Sequence, residues 1–194
     1  MSHPSDNLPD DQFRYSCYAL VIPIPDSLRA RMSEIERQAG QVRAKIPAHI
    51  TVKGTFHGIE SLDGMMGVVR SVTSKVAPVF IGFDGAETHW SDSSGFLNLP
   101  IPPELQALHD ALVAEVSPLG ETVYTDDPYR AHMTIIQEVT PEGLNTAKRM
   151  FEEIEFDEGF QADSVELMAR SGPAYGGQWH MIQRFPLEGH VLSR

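Results

Sequence analysis

Two tetrapeptides in this 194-residue chain share one layout: His49-Ile50-Thr51-Val52 and His132-Met133-Thr134-Ile135 each read His, apolar, Thr, apolar. Successive side chains of a β-strand point to opposite faces. Each tetrapeptide, as a strand, therefore buries its two apolar residues and presents His and Thr together on the other face. With 8 His and nine Thr among 194 residues, random placement yields roughly 0.4 His-x-Thr matches, and about 0.06 once both other positions must be apolar. One such copy reads as a harmless feature of a half-exposed strand. Two copies, one in each half of the chain, call for a fold that brings two half-buried strands to one polar surface.

Length and a hydrophobic content of 41% suit one compact domain or two small lobes packed together. The net charge of -12 argues against a sequence-independent grip on duplex nucleic acid, which needs many Lys and Arg on phosphates. It leaves room for a small pocket around one phosphate. Cys17 is the only cysteine, so neither an internal disulfide nor a CxxC metal site can form, and its apolar neighbours Tyr18 to Ile22 mark it as a buried thiol. Met1 to Asp11 is polar and acidic, and no apolar run approaches a membrane span. A reducing cytoplasm and no membrane partner are expected.

Residues 1–12 read as a disordered lead-in, followed by a single domain over 13–194. Tyr15 to Ile24 has a strand pattern. Leu28, Met32, Ile35 and Ala39 then step at helical spacing up to Gly40. Ile46 to Phe56 is the first motif strand, and Leu62, Met65, Val69 and Val72 mark a second helix. Strands are expected at Val79 to Phe83 and Phe96 to Leu99. The order then repeats. Leu105, Leu108, Leu112 and Val116 form a helix stripe, Tyr129 to Gln137 is the second motif strand, and Thr140-Pro141 opens a helix with Leu144, Ala147, Phe151 and Ile154 on one face. Val165 to Ala169 and Trp179 to Phe185 close the chain as strands. This order predicts an α+β fold of two lobes, about 13–100 and 101–194. They are related by a pseudo-twofold, built of mainly antiparallel sheet with outer helices, and share a central cleft.

Both tetrapeptides, the element order, the wording Pro47-Ala48-His49-Ile50-Thr51-Val52-Lys53-Gly54 and the closing Phe185-Pro186-Leu187 resemble the 2H phosphoesterase superfamily over about residues 15 to 187. That superfamily includes 2'-5' RNA ligase-like proteins and 2',3'-cyclic phosphodiesterases. The resemblance implies a bilobal α+β fold, no metal or other cofactor, and chemistry at the 2',3'-cyclic phosphate of a nucleotide or RNA end. Reversible 2'-5' RNA ligase activity is an accompanying expectation. It also suggests His132 as general base toward water and His49 as general acid toward the leaving ribose oxygen.

The residue types fit that chemistry independently. Opening a cyclic phosphate needs a base, an acid and fixed donors for the phosphoryl oxygens. Histidine titrates near neutrality and suits both proton roles. The hydroxyls of Thr51 and Thr134 can donate to the oxygens. On a regular strand Lys53 shares the face of His49 and Thr51, and Arg130 that of His132 and Thr134, so both are candidate phosphate contacts. Phe56, Tyr129 and Trp179 are candidate stacking surfaces for a base. The acidic stretch Glu152 to Glu158 reads as a solvated helix end. His57, His89, His109, His180 and His190 read as surface or turn residues. No dinucleotide or phosphate-binding glycine loop, zinc-protease helix motif or hydrolase nucleophile elbow occurs. A metal site built on His49 and His132 lacks further ligands at suitable spacing. Two other functions remain open: a non-catalytic module that binds a nucleotide or RNA end, and a phosphoesterase acting on a small molecule unrelated to nucleic acid.

Overall fold

A computed structural model describes residues 15–41, 46–123, 128–172 and 177–189. The lead-in at 1–12 lies outside the described residues. In chain order the elements are β1 (Tyr15–Pro23), α1 (Asp26–Gln38), β2 (His49–His57), α2 (Leu62–Thr73), β3 (Val79–Gly82), β4 (Glu87–Trp90), β5 (Gly95–Asn98), α3 (Pro103–Val116), β6 (Glu121–Thr122), β7 (His132–Ile136), α4 (Pro141–Glu152), β8 (Gly159–Ala162), β9 (Ser164–Ser171) and β10 (Trp179–Pro186). The fold is α+β, and every strand pairing is antiparallel.

Local chemistry sets the helix ends. Ser61 and Thr140 cap α2 and α4 by accepting from the backbone N–H groups of Gly64 and Gly143. Pro103 and Pro141 occupy first-turn positions, where a missing N–H costs nothing. Gly40, at φ 72°, ends α1 in the left-handed region that glycine enters without strain.

The main sheet runs β10-β9-β1-β2-β7-β5-β4, with β6 added beside β2; β3 and β8 form a separate pair. The two motif strands meet at its centre through Ile50 and Met133. The halves of the chain are interleaved around that seam. Strands β4 and β5 cross to the side of β7, and β9 and β10 return to the side of β1. Helix α1 packs with α4 and against β7, while α2 packs with α3, which lies on β2. The sheet is therefore not divided at residue 100. β2 lies between β1 of the first half and β7 of the second, while β7 lies between β2 and β5, both of the first half, an arrangement that contiguous lobes would not give.

The core lies between the sheet and these helices. Ile50, Val52, Met133 and Ile135 are fully buried in it, beside Leu20, Ile22, Met32, Leu105 and Leu108. Burying each such side chain contributes about 1.5–3 kcal/mol. A one-residue slip of either motif strand would turn its His and Thr into this core, so apolar burial fixes the register. No helix among the described residues is long and apolar enough to cross a membrane.

Candidate active site

The His and Thr face of the two motif strands forms a cavity of about 680 Å³, lined by His49, Thr51, His132 and Thr134 among others. Antiparallel pairing at Ile50 and Met133 sets His49 against Thr134 and Thr51 against His132, one residue to either side. Each imidazole is held in the same way. His49 Nδ1 lies 2.8 Å from the carbonyl oxygen of Pro47, and His132 Nδ1 lies 2.9 Å from that of Arg130. A carbonyl can only accept, so Nδ1 carries the proton in both rings and Nε2 is left for the cavity. Phe96 braces His132 edge-on, with ring centroids 5.7 Å apart. Neither threonine hydroxyl has a hydrogen-bond partner among the described residues, so both are available to an incoming oxyanion.

The two histidines differ in their surroundings. Burial pushes the His49 imidazole from 6.5 down to about 4. The bond to the Pro47 carbonyl works against that, and the neighbouring His132 adds a smaller push downward. Desolvation disfavours the charged form, so His49 is a neutral imidazole at pH 7. Arg130, exposed at the rim, is the one cationic residue among the described cavity-lining side chains. No group of three or more His, Cys, Asp or Glu able to hold a metal ion occurs among the described residues.

The model of the 2'-5' RNA ligase superfamily matches residues 24–174, which include both motifs and most of the sheet. The chain belongs to this superfamily. Its members are phosphoesterases and ligases, which makes the chain an enzyme of 2H phosphoesterase type. Solved structures share the fold at low sequence identity. Escherichia coli LigT complexed with 3'-AMP superposes with a TM-score of 0.61 at 14% identity, covering 89% of this chain and 98% of LigT. A protein described as a phosphoesterase gives 0.62 at 13% identity over 89% and 98%. The Thermus thermophilus protein TT0787 gives 0.65 at 15% identity over 90% and 100%. No curated protein sequence matches the chain.

Three of the five candidate substrate contacts line the cavity of this superfamily member: Arg130, Tyr129 and Trp179. Lys53 and Phe56 do not. Register shifts between β1 and β2 fall between the Val21–Thr51 and Leu20–Lys53 pairs and again before Tyr18–Phe56. Each adds a residue to β2, a bulge that breaks the alternation beyond Val52. Lys53 is fully buried, with Nζ 3.3 Å from Thr122 Oγ1 and 5.7 Å from the centroid of the Phe56 ring. Phe56 is a core residue stacked on Tyr18.

His109 was expected at the surface, yet it is 4% exposed and lines the cavity. Its Nδ1 lies 2.8 Å from the carbonyl oxygen of Val52. Its ring stacks on Tyr129 with centroids 3.9 Å apart, and the Tyr129 hydroxyl donates to the Thr51 carbonyl oxygen at 2.9 Å. These bonds tie α3 and the segment before β7 to the first motif strand. The signal was present in the sequence: His109 lies four residues after Leu105 and three before Leu112, on the apolar stripe of the helix.

Proposed function

We propose that the protein is a metal-independent phosphodiesterase that opens a 2',3'-cyclic phosphate on a nucleotide or RNA end. The observation that carries this reading is the shared cavity. Two imidazoles, each with Nδ1 tied to a carbonyl and Nε2 available, stand beside two hydroxyls without partners among the described residues. Binding alone needs no pair of proton-transfer groups, which favours catalysis over a purely binding role.

In this reading one imidazole takes a proton from water as its oxygen attacks phosphorus. One ribose oxygen leaves phosphorus and receives a proton from the other imidazole, giving a phosphomonoester. Thr51 and Thr134 donate to the nonbridging oxygens as negative charge develops, and Arg130 offsets the charge at the rim. We assign His49 as the base and His132 as the acid, the reverse of the roles the resemblance suggests. A base must be neutral, and burial keeps His49 neutral. The flanking charges Lys45, Asp126 and Asp127, which bear on the question in sequence, lie outside the described residues. Attack of a ribose 5'-hydroxyl on the same cyclic phosphate in place of water, with the 3' oxygen leaving phosphorus and taking the proton, would constitute 2'-5' ligation.

Nucleotides are the favoured substrate class. Tyr129 and Trp179 offer aromatic surfaces beside the motifs, and E. coli LigT has been crystallised with 3'-AMP, ATP and NADP+. The net charge of -12 disfavours a long polyanion outside the cavity. The test is hydrolysis of a panel: 2',3'-cyclic mononucleotides, 3',5'-cyclic mononucleotides, linear dinucleotides and non-nucleotide diesters. Selective opening of the 2',3'-cyclic compounds is expected. Turnover confined to non-nucleotide diesters, or no turnover with intact binding of nucleotides, would overturn the reading.

A further inference from the structure

We propose that a second compartment beside the motif histidines is a nucleobase subsite in which Glu166 selects guanine. This rests on the reading of the main cavity as a nucleotide phosphodiesterase site. The compartment, about 260 Å³, shares His49 and Trp179 with the main cavity and is walled further by Val21, Met168, Met181 and three charged side chains, Glu166, Arg184 and Arg29, the last paired with Asp26.

Strand pairing fixes its distance from the chemistry. Val21 lies between Thr51 on β2 and Glu166 on β9, and all three point to the cavity face. Glu166 therefore sits two strands from Thr51, roughly 10 Å. That matches the reach of a nucleoside from its 2',3'-phosphate to the outer edge of its base, laid across the sheet.

The chemistry of the compartment is specific. Trp179, Met168 and Met181 form flat or adaptable apolar walls suited to the faces of a base. Trp179 is held by the Arg170 guanidinium, 5.4 Å from its ring centroid. Glu166 is only 8% exposed. Arg184 Nε donates to its Oε1 at 3.0 Å, and Arg184 Nη2 donates to the same oxygen. Oε2 accepts no hydrogen bond from a described residue and is not fully buried, and Glu166 lines the compartment. The guanidinium offsets the carboxylate charge, so the pair does not repel a bound phosphate. Glu166 is the one carboxylate among the described residues that line the compartment, and it calls for a donor.

Guanine presents N1–H and its N2 amino group side by side. Adenine and cytosine each set an amino group next to a ring acceptor. Uracil has a single N3–H flanked by two carbonyls that repel a carboxylate. Glu166 should therefore rank guanine first and uracil last.

The experiment measures kcat/KM on guanosine, adenosine, cytidine, uridine and inosine 2',3'-cyclic phosphates. Guanosine should exceed uridine roughly tenfold to hundredfold, as for hydrogen bonds to a charged, desolvated group. Inosine, which lacks the N2 amino group, should fall between them. In Glu166→Gln, Arg184 retains the amide oxygen and the NH2 faces the slot, so a donor replaces the acceptor. The guanosine-to-uridine ratio should then fall to one or below. Hydrolysis of none of the five compounds would defeat the reading of the main cavity. Hydrolysis with guanosine not ranked first, with inosine equal to guanosine, or with an unchanged ratio in Glu166→Gln would overturn the subsite alone. Should the variant fail to fold, the inosine comparison on the wild-type protein decides.

Discussion

Acid should destabilise this protein through His49 in particular. Its imidazole titrates at about 4 in the fold because burial penalises the charged form, whereas in an unfolded chain it titrates near 6.5. Folding therefore expels a proton at intermediate pH. The associated stability is fully present above about pH 6.5 and is lost as pH falls toward 4. At about 1.4 kcal/mol per pH interval, the full effect is about 3 kcal/mol, of which about 2.5 kcal/mol is gone by pH 4.5. Against a typical domain stability of about 5–15 kcal/mol this is easily measured. The assay is urea unfolding at pH 7.5 and pH 4.5, run on the wild type and on His49→Gln. Every other titrating group is common to both proteins and cancels in the comparison. The wild type should lose about 2.5 kcal/mol more than the variant between the two conditions. Equal losses would show that the half-buried His49 ring is not desolvated in the fold, and the assignment of His49 as the neutral base would fall with it.

Replacing His49 or His132 with Ala should lower turnover of a 2',3'-cyclic nucleotide at least about a hundredfold with the fold retained, and Thr51→Ala or Thr134→Ala should cost about 1–3 kcal/mol in kcat/KM; a wild-type rate in either His variant removes that residue from the mechanism. A nucleotide p-nitrophenyl phosphodiester has a leaving group that needs no protonation, so it should rescue His132→Ala but not His49→Ala, and the opposite pattern would restore His132 as the base. Away from the site, a Cβ on Gly143 would lie 2.3 Å from the Ala39 carbonyl oxygen, where α4 starts against the end of α1. Gly143→Ala should cost about 1–3 kcal/mol, seen as a melting temperature several degrees lower, and an unchanged melting temperature would contradict that close approach.

Elements with strong apolar periodicity were legible in the sequence. The four helices, β1, both motif strands, β9 and β10 fall where their stripes and turn residues put them, within a few residues at the ends. Strands β4, β6 and β8 were not foreseen; β6 is only the two residues Glu121–Thr122. β4 is the polar, largely exposed stretch Glu87–Trp90, and β8 pairs only with β3, so neither carries the alternation that betrays a half-buried strand. The exchange of strands between halves was also hidden, because element order does not say which strands become neighbours. In the site, the His and Thr faces followed from the period of two, and the structure gathers all four residues on one cavity. Lys53 did not follow, because a bulge is set by pairing with β1 and leaves no mark on β2 alone. Glu166 went unnoticed for a similar reason. A lone acid in a strand gains meaning only when topology sets it two strands from Thr51.

The central claim is that His49 and His132 together open a cyclic phosphate without a metal. Its most direct test is ³¹P NMR of a 2',3'-cyclic nucleotide incubated with the purified protein in excess EDTA, alongside His49→Ala and His132→Ala. The cyclic phosphate signal should convert to a single phosphomonoester with the wild type and persist with both variants. Conversion that stops in EDTA and returns with Zn²⁺ or Mn²⁺, or that proceeds unchanged in either variant, would contradict the account.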